Sequence, residues 1–292
     1  MRIKLAVVVT SVLALVLTGC GKAEDEGGAS DPAVETSVEF DAGTTMATLN
    51  ESGSVKIGVK FDQPGLGYKD PAKGDTPEGF DIEVAKYVAS KLGIEASSIE
   101  WVEAVSANRE PFLQNGTVDL VIASYSITDK RKEVVGQAGP YYVTGQQLLV
   151  AKDDDSIKGP EDLTGKGVCS VDGSTSIKTV EEKFGAAPKP AGTYSECVQA
   201  LLNGTVDAVT TDGSILLGYA AENPDKLKVV GEAFSEERYG IGYKKDDADM
   251  CKFLTDSINE MIDDGSWAKS FGATLGLSGV ETPEPPKTDA CP

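Results

Sequence analysis

The string NGTVD occurs twice, at residues 115–119 and again 88 residues later at 203–207. Physically each copy is a helix end, an Asn-Gly stop, a short turn and an apolar run of the kind buried inside parallel sheets. The chain around both copies follows one grammar. Strands are expected at 54–60, 98–102 and 118–123. Helices are expected at 107–114 and at 79–92, where Phe80, Val84, Ala85, Val88, Ala89 and Leu92 share one helical face before Gly93. After about residue 150 the alternation restarts, with strands at 167–171, 191–194, 206–211 and 228–230 and helices at 174–184, 195–202 and 214–222. An extended stretch at 240–244 and a long amphipathic helix at 248–261 follow. Repeated βα units argue for open α/β sheets, and ligands of such sheets sit beyond the carboxyl ends of the strands. Those ends carry Ser124-Tyr125-Ser126 after one copy and Asp212-Gly213-Ser214 after the other. Two similar lobes facing one cleft would explain both. Convergent use of a common helix stop is the plainer alternative, and five residues do not exclude it.

The 292 residues include no histidine, which removes Ser-His-Asp triads, Cys-His pairs, His-ligated zinc and histidine general bases. With 27 basic and 47 acidic side chains the net charge is -20, which argues against nucleic acid as a partner. An anionic ligand would need a local cluster of cations working against that field. No cofactor or metal is expected.

The first residues form an address. Arg2 and Lys4 precede the apolar run 5–17, and Leu17-Thr18-Gly19-Cys20 ends it. A basic start, a short apolar run and small residues make a secretory signal, and the run is short for a membrane span of about 20 residues. A cysteine after Leu-Thr-Gly resembles the bacterial lipoprotein cleavage box, which implies a signal peptide over 1–19 and a lipid on Cys20. Residues 20–50 are poor in large apolar groups and read as a flexible tether, while 281–292, with four prolines, reads as an irregular tail. Cys169, Cys197, Cys251 and Cys291 remain. Outside the cytoplasm an even count favours disulfides. Order along the chain suggests Cys169–Cys197 and Cys251–Cys291, although four cysteines allow three pairings.

The run GFDIEVAKYVA at 79–89, with IASYSITDKR, CSVDGSTS and VTTDGSIL in that order, resembles bacterial solute-binding protein family 3, the polar amino-acid receptors of ABC importers. The likeness spans about residues 54–271. VKFDQPGLG and the Cys169/Cys197 pair make it most like the actinobacterial lipid-anchored glutamate-binding proteins. The resemblance implies a two-lobed periplasmic-binding-protein fold of type II, two open α/β sheets joined by hinge crossovers near 146–151 and 239–244. Lobe one would comprise 51–147 and 240–280, lobe two 148–239, and the cleft would close on ligand by hinge motion.

The resemblance also implies roles. Arg131 matches the arginine that grips the ligand's α-carboxylate, a task suited to a bidentate, permanently charged guanidinium. Ser124 and Ser126 match residues offering backbone and hydroxyl groups, and Tyr125 between them would either pack on the ligand's aliphatic part or belong to the core. Gly173, Ser174 and Thr175 match a loop at a helix N-terminus, where free N–H groups attract a carboxylate. Simple capping by Ser174 is the bland alternative. Asp212 matches the residue that binds the α-ammonium, with an N-cap as its alternative. Lys60 departs from relatives that carry Asp at this strand end. A cation there would repel basic ligands and favour a side-chain carboxylate, with Arg109 assisting unless it merely pairs with Glu110.

The expected function is thus an extracytoplasmic, lipid-anchored, monomeric receptor that binds glutamate, then aspartate, and docks on an ABC permease. It is not expected to be an enzyme. Glutamine or another polar amino acid is the alternative ligand. A cyclohexadienyl dehydratase-like enzyme on the same fold is the rival, but neither Glu103 nor Glu110 is marked as its acid or base.

Overall fold

The computed structural model describes residues 31–292. The leader and Cys20 lie outside the described residues.

Two five-stranded sheets carry the chain. The first runs, in spatial order, Ile99–Glu103, Val55–Val59, Leu120–Val121, Glu237–Tyr243 and Gly136–Thr144. The second runs Leu227–Val230, Gln146–Ala151, Ala208–Asp212, Val168–Val171 and Lys189–Ala191. In each sheet three strands are parallel, and a strand arriving from the other lobe pairs antiparallel with both its neighbours. That strand is Glu237–Tyr243 in the first sheet and Gln146–Ala151 in the second. The chain therefore passes between sheets at Gly145 and over 231–236, a few residues before the stretches expected as crossovers. Those stretches are sheet strands, which an extended apolar crossover resembles in sequence.

The two NGTVD copies build the same turn. Gly116 and Gly204 take φ of 66° and 68°. The Asp119 carboxylate accepts the Lys56 N–H at 2.8 Å and the Asp207 carboxylate the Gly167 N–H at 2.6 Å. The Asp119 and Asp207 N–H groups donate back to the carbonyls of the same two residues. Each aspartate thus clamps the start of its strand to a neighbouring one, and the repeat is a matched structural device in the two lobes.

Three readings are corrected. The segment taken as a tether to residue 50 forms a helix, Thr45–Ser52, whose Thr44 side chain caps it and whose Met46, Ala47 and Leu49 are buried. Three apolar residues suffice because neighbouring elements supply further contacts: Asn50 donates to the Leu92 carbonyl at 2.8 Å and the Thr45 hydroxyl to Asp247, while Phe40, just before the helix, meets Phe253. Tyr194 begins a helix, Tyr194–Leu202, instead of ending a strand, because Thr193 and Glu196 form a reciprocal cap there. The strand expected over 118–123 is paired only at Leu120–Val121.

The structure contains the disulfides Cys169–Cys197 and Cys251–Cys291. The first ties a strand of the second sheet to the helix Tyr194–Leu202. The second fastens the tail, which has no regular structure, to the helix Ala248–Asp263. Among the described residues no helix is long and apolar enough to cross a membrane.

Candidate functional site

Both sheets aim strand ends and helix starts at one small, tightly closed interlobe cavity. Of the expected residues, Arg109, Ser124, Ser126, Ser174, Thr175 and Asp212 line it, together with Ser106, Ser176, Tyr194, Thr211 and Ile215. A roomier hollow between the strand Gly136–Thr144 and the tail is lined by Tyr243, Asp289 and Pro292 and by none of the expected ligand-binding residues.

The first-lobe wall is cationic at Arg109, with Lys60 and Arg131 behind it and outside the lining itself. Lys60, only 3% exposed, donates from Nζ to the Ser106 hydroxyl at 2.9 Å, so it reaches the cavity through that side chain. Burial, reinforced by the charge of Arg109, lowers its pKa to about 7. Arg109 donates from Nη1 to the carbonyls of Ala123 and Ser124 and from Nε to that of Ser106. Burial and then the neighbouring Arg131 bring its pKa down to about 10. Arg131 donates from Nη1 to the Ser126 carbonyl at 2.7 Å and from Nε to Glu110 at 2.9 Å. The ion pair weighed for Arg109 thus belongs to Arg131 instead. Both guanidiniums lie within 5 Å of the Tyr125 ring centre, at 4.7 and 4.8 Å. Tyr125 is therefore fully buried against them and is not part of the cavity wall.

Both arginines also reach the second lobe, donating from Nη2 to the Gly173 carbonyl at 3.4 and 3.0 Å. Gly173 has φ of 77°, and a Cβ there would stand 2.8 Å from the Ala107 backbone, so a side chain would part the lobes at this point. Ser174 caps the helix Thr175–Phe184, accepting the Ile177 N–H at 3.1 Å, and the first turn of that helix faces the cavity. Thr175 donates from its hydroxyl to Glu237.

Asp212 stands at the N-cap position of Gly213–Glu222 but makes no side-chain cap. Its Oδ2 accepts the Tyr239 hydroxyl at 2.6 Å, and its Oδ1 is buried without a hydrogen-bond partner. Burial, then the charge of Glu237, raises its pKa to about 7. An unpartnered buried carboxylate oxygen is costly unless a donor comes to it, and an ammonium ion supplies one.

Sequence reasoning missed Asp81, which holds the site's loop in place. Its Oδ2 accepts the Ser124 N–H at 2.8 Å and its Oδ1 the Tyr141 hydroxyl at 2.7 Å. Ser124 is held at φ of 44°, uncommon for a residue with a side chain. Burial raises the Asp81 pKa to about 6. The available signal was an acidic residue inside a run where Phe80, Ile82 and Val84 are all core. Gln63, whose Oε1 accepts the Ser124 hydroxyl, gave no such signal.

Two α/β lobes closed over a small polar cavity, cationic on one side and carrying a buried carboxylate on the other, define a receptor for a small charged solute. The chain belongs to the bacterial extracellular solute-binding proteins, family 3, whose model matches residues 55–272. It is 39% identical to the glutamate-binding protein GluB of Corynebacterium glutamicum, covering 94% of this chain and 90% of the relative. It is 35% identical to the ABC transporter glutamine-binding protein GlnH of Bacillus subtilis, over 88% of this chain and 91% of the relative. Among solved structures, an ancestral arginine-binding protein bound to glutamine matches with a TM-score of 0.71 at 38% identity, covering 77% of this chain and 98% of that one. The protein is a binding protein, not an enzyme, and works outside the cytoplasm.

Proposed function

We propose that the protein binds glutamate as its zwitterion between the lobes and delivers it to an ABC importer. The carrying observation is the facing of opposite charges across one cavity: Lys60, Arg109 and Arg131 belong to the first lobe, and Asp212, with a free Oδ1, to the second. In this reading Asp212 takes the α-ammonium. Arg131 and the first turn of Thr175–Phe184 take the α-carboxylate. Ser124 and Ser126 add polar contacts. Lys60, acting with Ser106 and Arg109, meets the side-chain carboxylate. A chain with net charge of -20 that sets Arg109 in the cavity wall and buries Lys60 and Arg131 behind it is arranged for an anion. The glutamate name carried by the Corynebacterium relative agrees with this. Aspartate would use the same groups across a longer gap.

Glutamine is the second reading, favoured by the Bacillus relative and by the glutamine-bound neighbour. Arg131 has Glu110 as its counter-charge, but a neutral amide would bring none to Lys60 and Arg109, which is why glutamate ranks first. A lipid on Cys20 would hold the receptor, as a monomer, at the outer face of the membrane beside its permease. Calorimetric titration of the chain lacking residues 1–20 against the twenty amino acids tests the ligand. Glutamate should bind most tightly, and tighter binding of glutamine or arginine would overturn the assignment.

A further inference from the structure

One carboxylate outside the cavity joins the lobes by a route that uses none of the expected ligand groups. Asp62 follows the strand Val55–Val59 and belongs to the first lobe. Opposite it begins the second-lobe helix Tyr194–Leu202. Within that helix the Thr193 hydroxyl accepts the Glu196 N–H, and the Glu196 carboxylate returns to the N–H groups of Gly192 and Thr193. The N–H groups of the first two helical residues are left over. They donate to Asp62 Oδ2, Tyr194 at 2.9 Å and Ser195 at 3.2 Å. Tyr219, on the helix Gly213–Glu222, donates its hydroxyl to the Asp62 carbonyl and stands 3.3 Å from Oδ2. Asp62 thus completes the cap of one second-lobe helix and holds the side chain of another.

Two further features make this contact act on whole lobes. Cys197, within the gripped helix, is bonded to Cys169 in the second sheet, so a pull on the helix is a pull on the lobe. Beside it the first-lobe loop lies directly on Gly213–Glu222. A Cβ on Gly218 would fall 2.3 Å from the Pro64 carbonyl oxygen, so this approach is open only to glycine.

We propose that Asp62 is a closure latch, a positioning residue that sets the affinity of the interlobe site by stabilising the closed lobes without touching the ligand. The idea rests on reading the interlobe cavity as the ligand site. Its physical basis is that a carboxylate is favoured at a helix N-terminus, where free N–H groups and the helix dipole meet it. When the lobes part, both sides return to water. The apparent dissociation constant varies inversely with the fraction of molecules in the binding-competent arrangement, so a weaker latch weakens every ligand of the site alike.

The test uses Asp62→Ala and Gly218→Ala in the otherwise intact chain. Each is measured by calorimetry with glutamate and by small-angle X-ray scattering of the ligand-free protein. Both variants should scatter with a larger radius of gyration than the wild type and bind glutamate on the order of tenfold more weakly. Asp62→Asn, which keeps an acceptor oxygen, should recover part of the loss. Gly218→Ala guards against simple misfolding, because alanine is the better helix former and should leave the melting temperature unreduced. Unchanged scattering in both variants overturns the latch. So does weaker binding without a change in scattering, which would make Asp62 a ligand contact. If the wild type binds no amino acid, the ligand reading fails, while the scattering of the ligand-free variants still decides the latch.

Discussion

The two lobes share a frame and differ in what fills it. Each has three parallel strands, an antiparallel strand from its partner, and an Asn-Gly turn clamped by an aspartate. The first lobe packs an aromatic cluster in which Phe80 touches Tyr141, Tyr142, Trp267 and Phe271. The outer core of the second is aliphatic, built from Leu148, Val150, Ile157, Leu163, Val168 and Val180, and a disulfide supplements it. The polar groups differ more sharply. The first lobe brings Arg109 to the cavity wall with the buried cations Lys60 and Arg131 behind it, and the second brings a carboxylate and a helix start. A duplicated frame therefore does not give duplicated chemistry. Neither half holds both poles of a zwitterion, so full complementarity exists only when the lobes are together.

The sharpest way to break this comparison is to remove the second lobe's pole. Asp212→Ala should weaken glutamate binding by about three orders of magnitude, the roughly 4 kcal/mol expected when one member of a buried charge pair is lost. Calorimetry reads it directly, and a loss below tenfold would detach Asp212 from the ammonium. Next, Cys169→Ser with Cys197→Ser removes the staple of the second lobe. Opening that 28-residue link should cost about 3 kcal/mol and lower the melting temperature. The matching change at Cys251 and Cys291 should leave glutamate affinity unchanged, since that link holds only the tail.

A smaller effect is expected from the first lobe. Lys60→Met should weaken glutamate about a hundredfold, on the order of 2–3 kcal/mol, while leaving glutamine nearly unaffected. Equal losses for both ligands would remove Lys60 from specificity. The smallest effect is with pH. Asp212, with its pKa near 7, must be ionised to hold an ammonium, so affinity falls as pH drops below about 7. Lys60, also near 7, must be charged to hold a carboxylate, so affinity falls as pH rises above about 7. Titrations across pH should show a maximum near neutrality, with limbs of at most about tenfold per unit. Lys60→Met should flatten the alkaline limb only.

Much of the frame was legible in the chain. The helix Phe80–Lys91 and the strands Val55–Val59 and Val168–Val171 follow their apolar spacing closely. The family motifs located the loops around Ser124, Ser174 and Asp212. The helix Thr45–Ser52 was not legible, because its three buried residues count for little until the helix Ala248–Asp263 lies beside it. The contacts of Arg131 and Arg109 were not legible either. Which of two arginines pairs with Glu110 depends on how two helices of the first lobe meet, and no spacing along one element records that.

By itself, then, the sequence determined the alternation of strands and helices, the matched turns and the residue types at the strand ends, because periodicity and turn chemistry act over a few neighbours. Only the tertiary structure decided that Asp212 keeps a free oxygen, that Tyr125 lies under two guanidiniums, and that Asp62 caps a helix more than a hundred residues away. Those outcomes depend on burial and on distances between elements remote in the chain, within the first lobe for Tyr125 and between the lobes for Asp62, which exist only once the fold is complete.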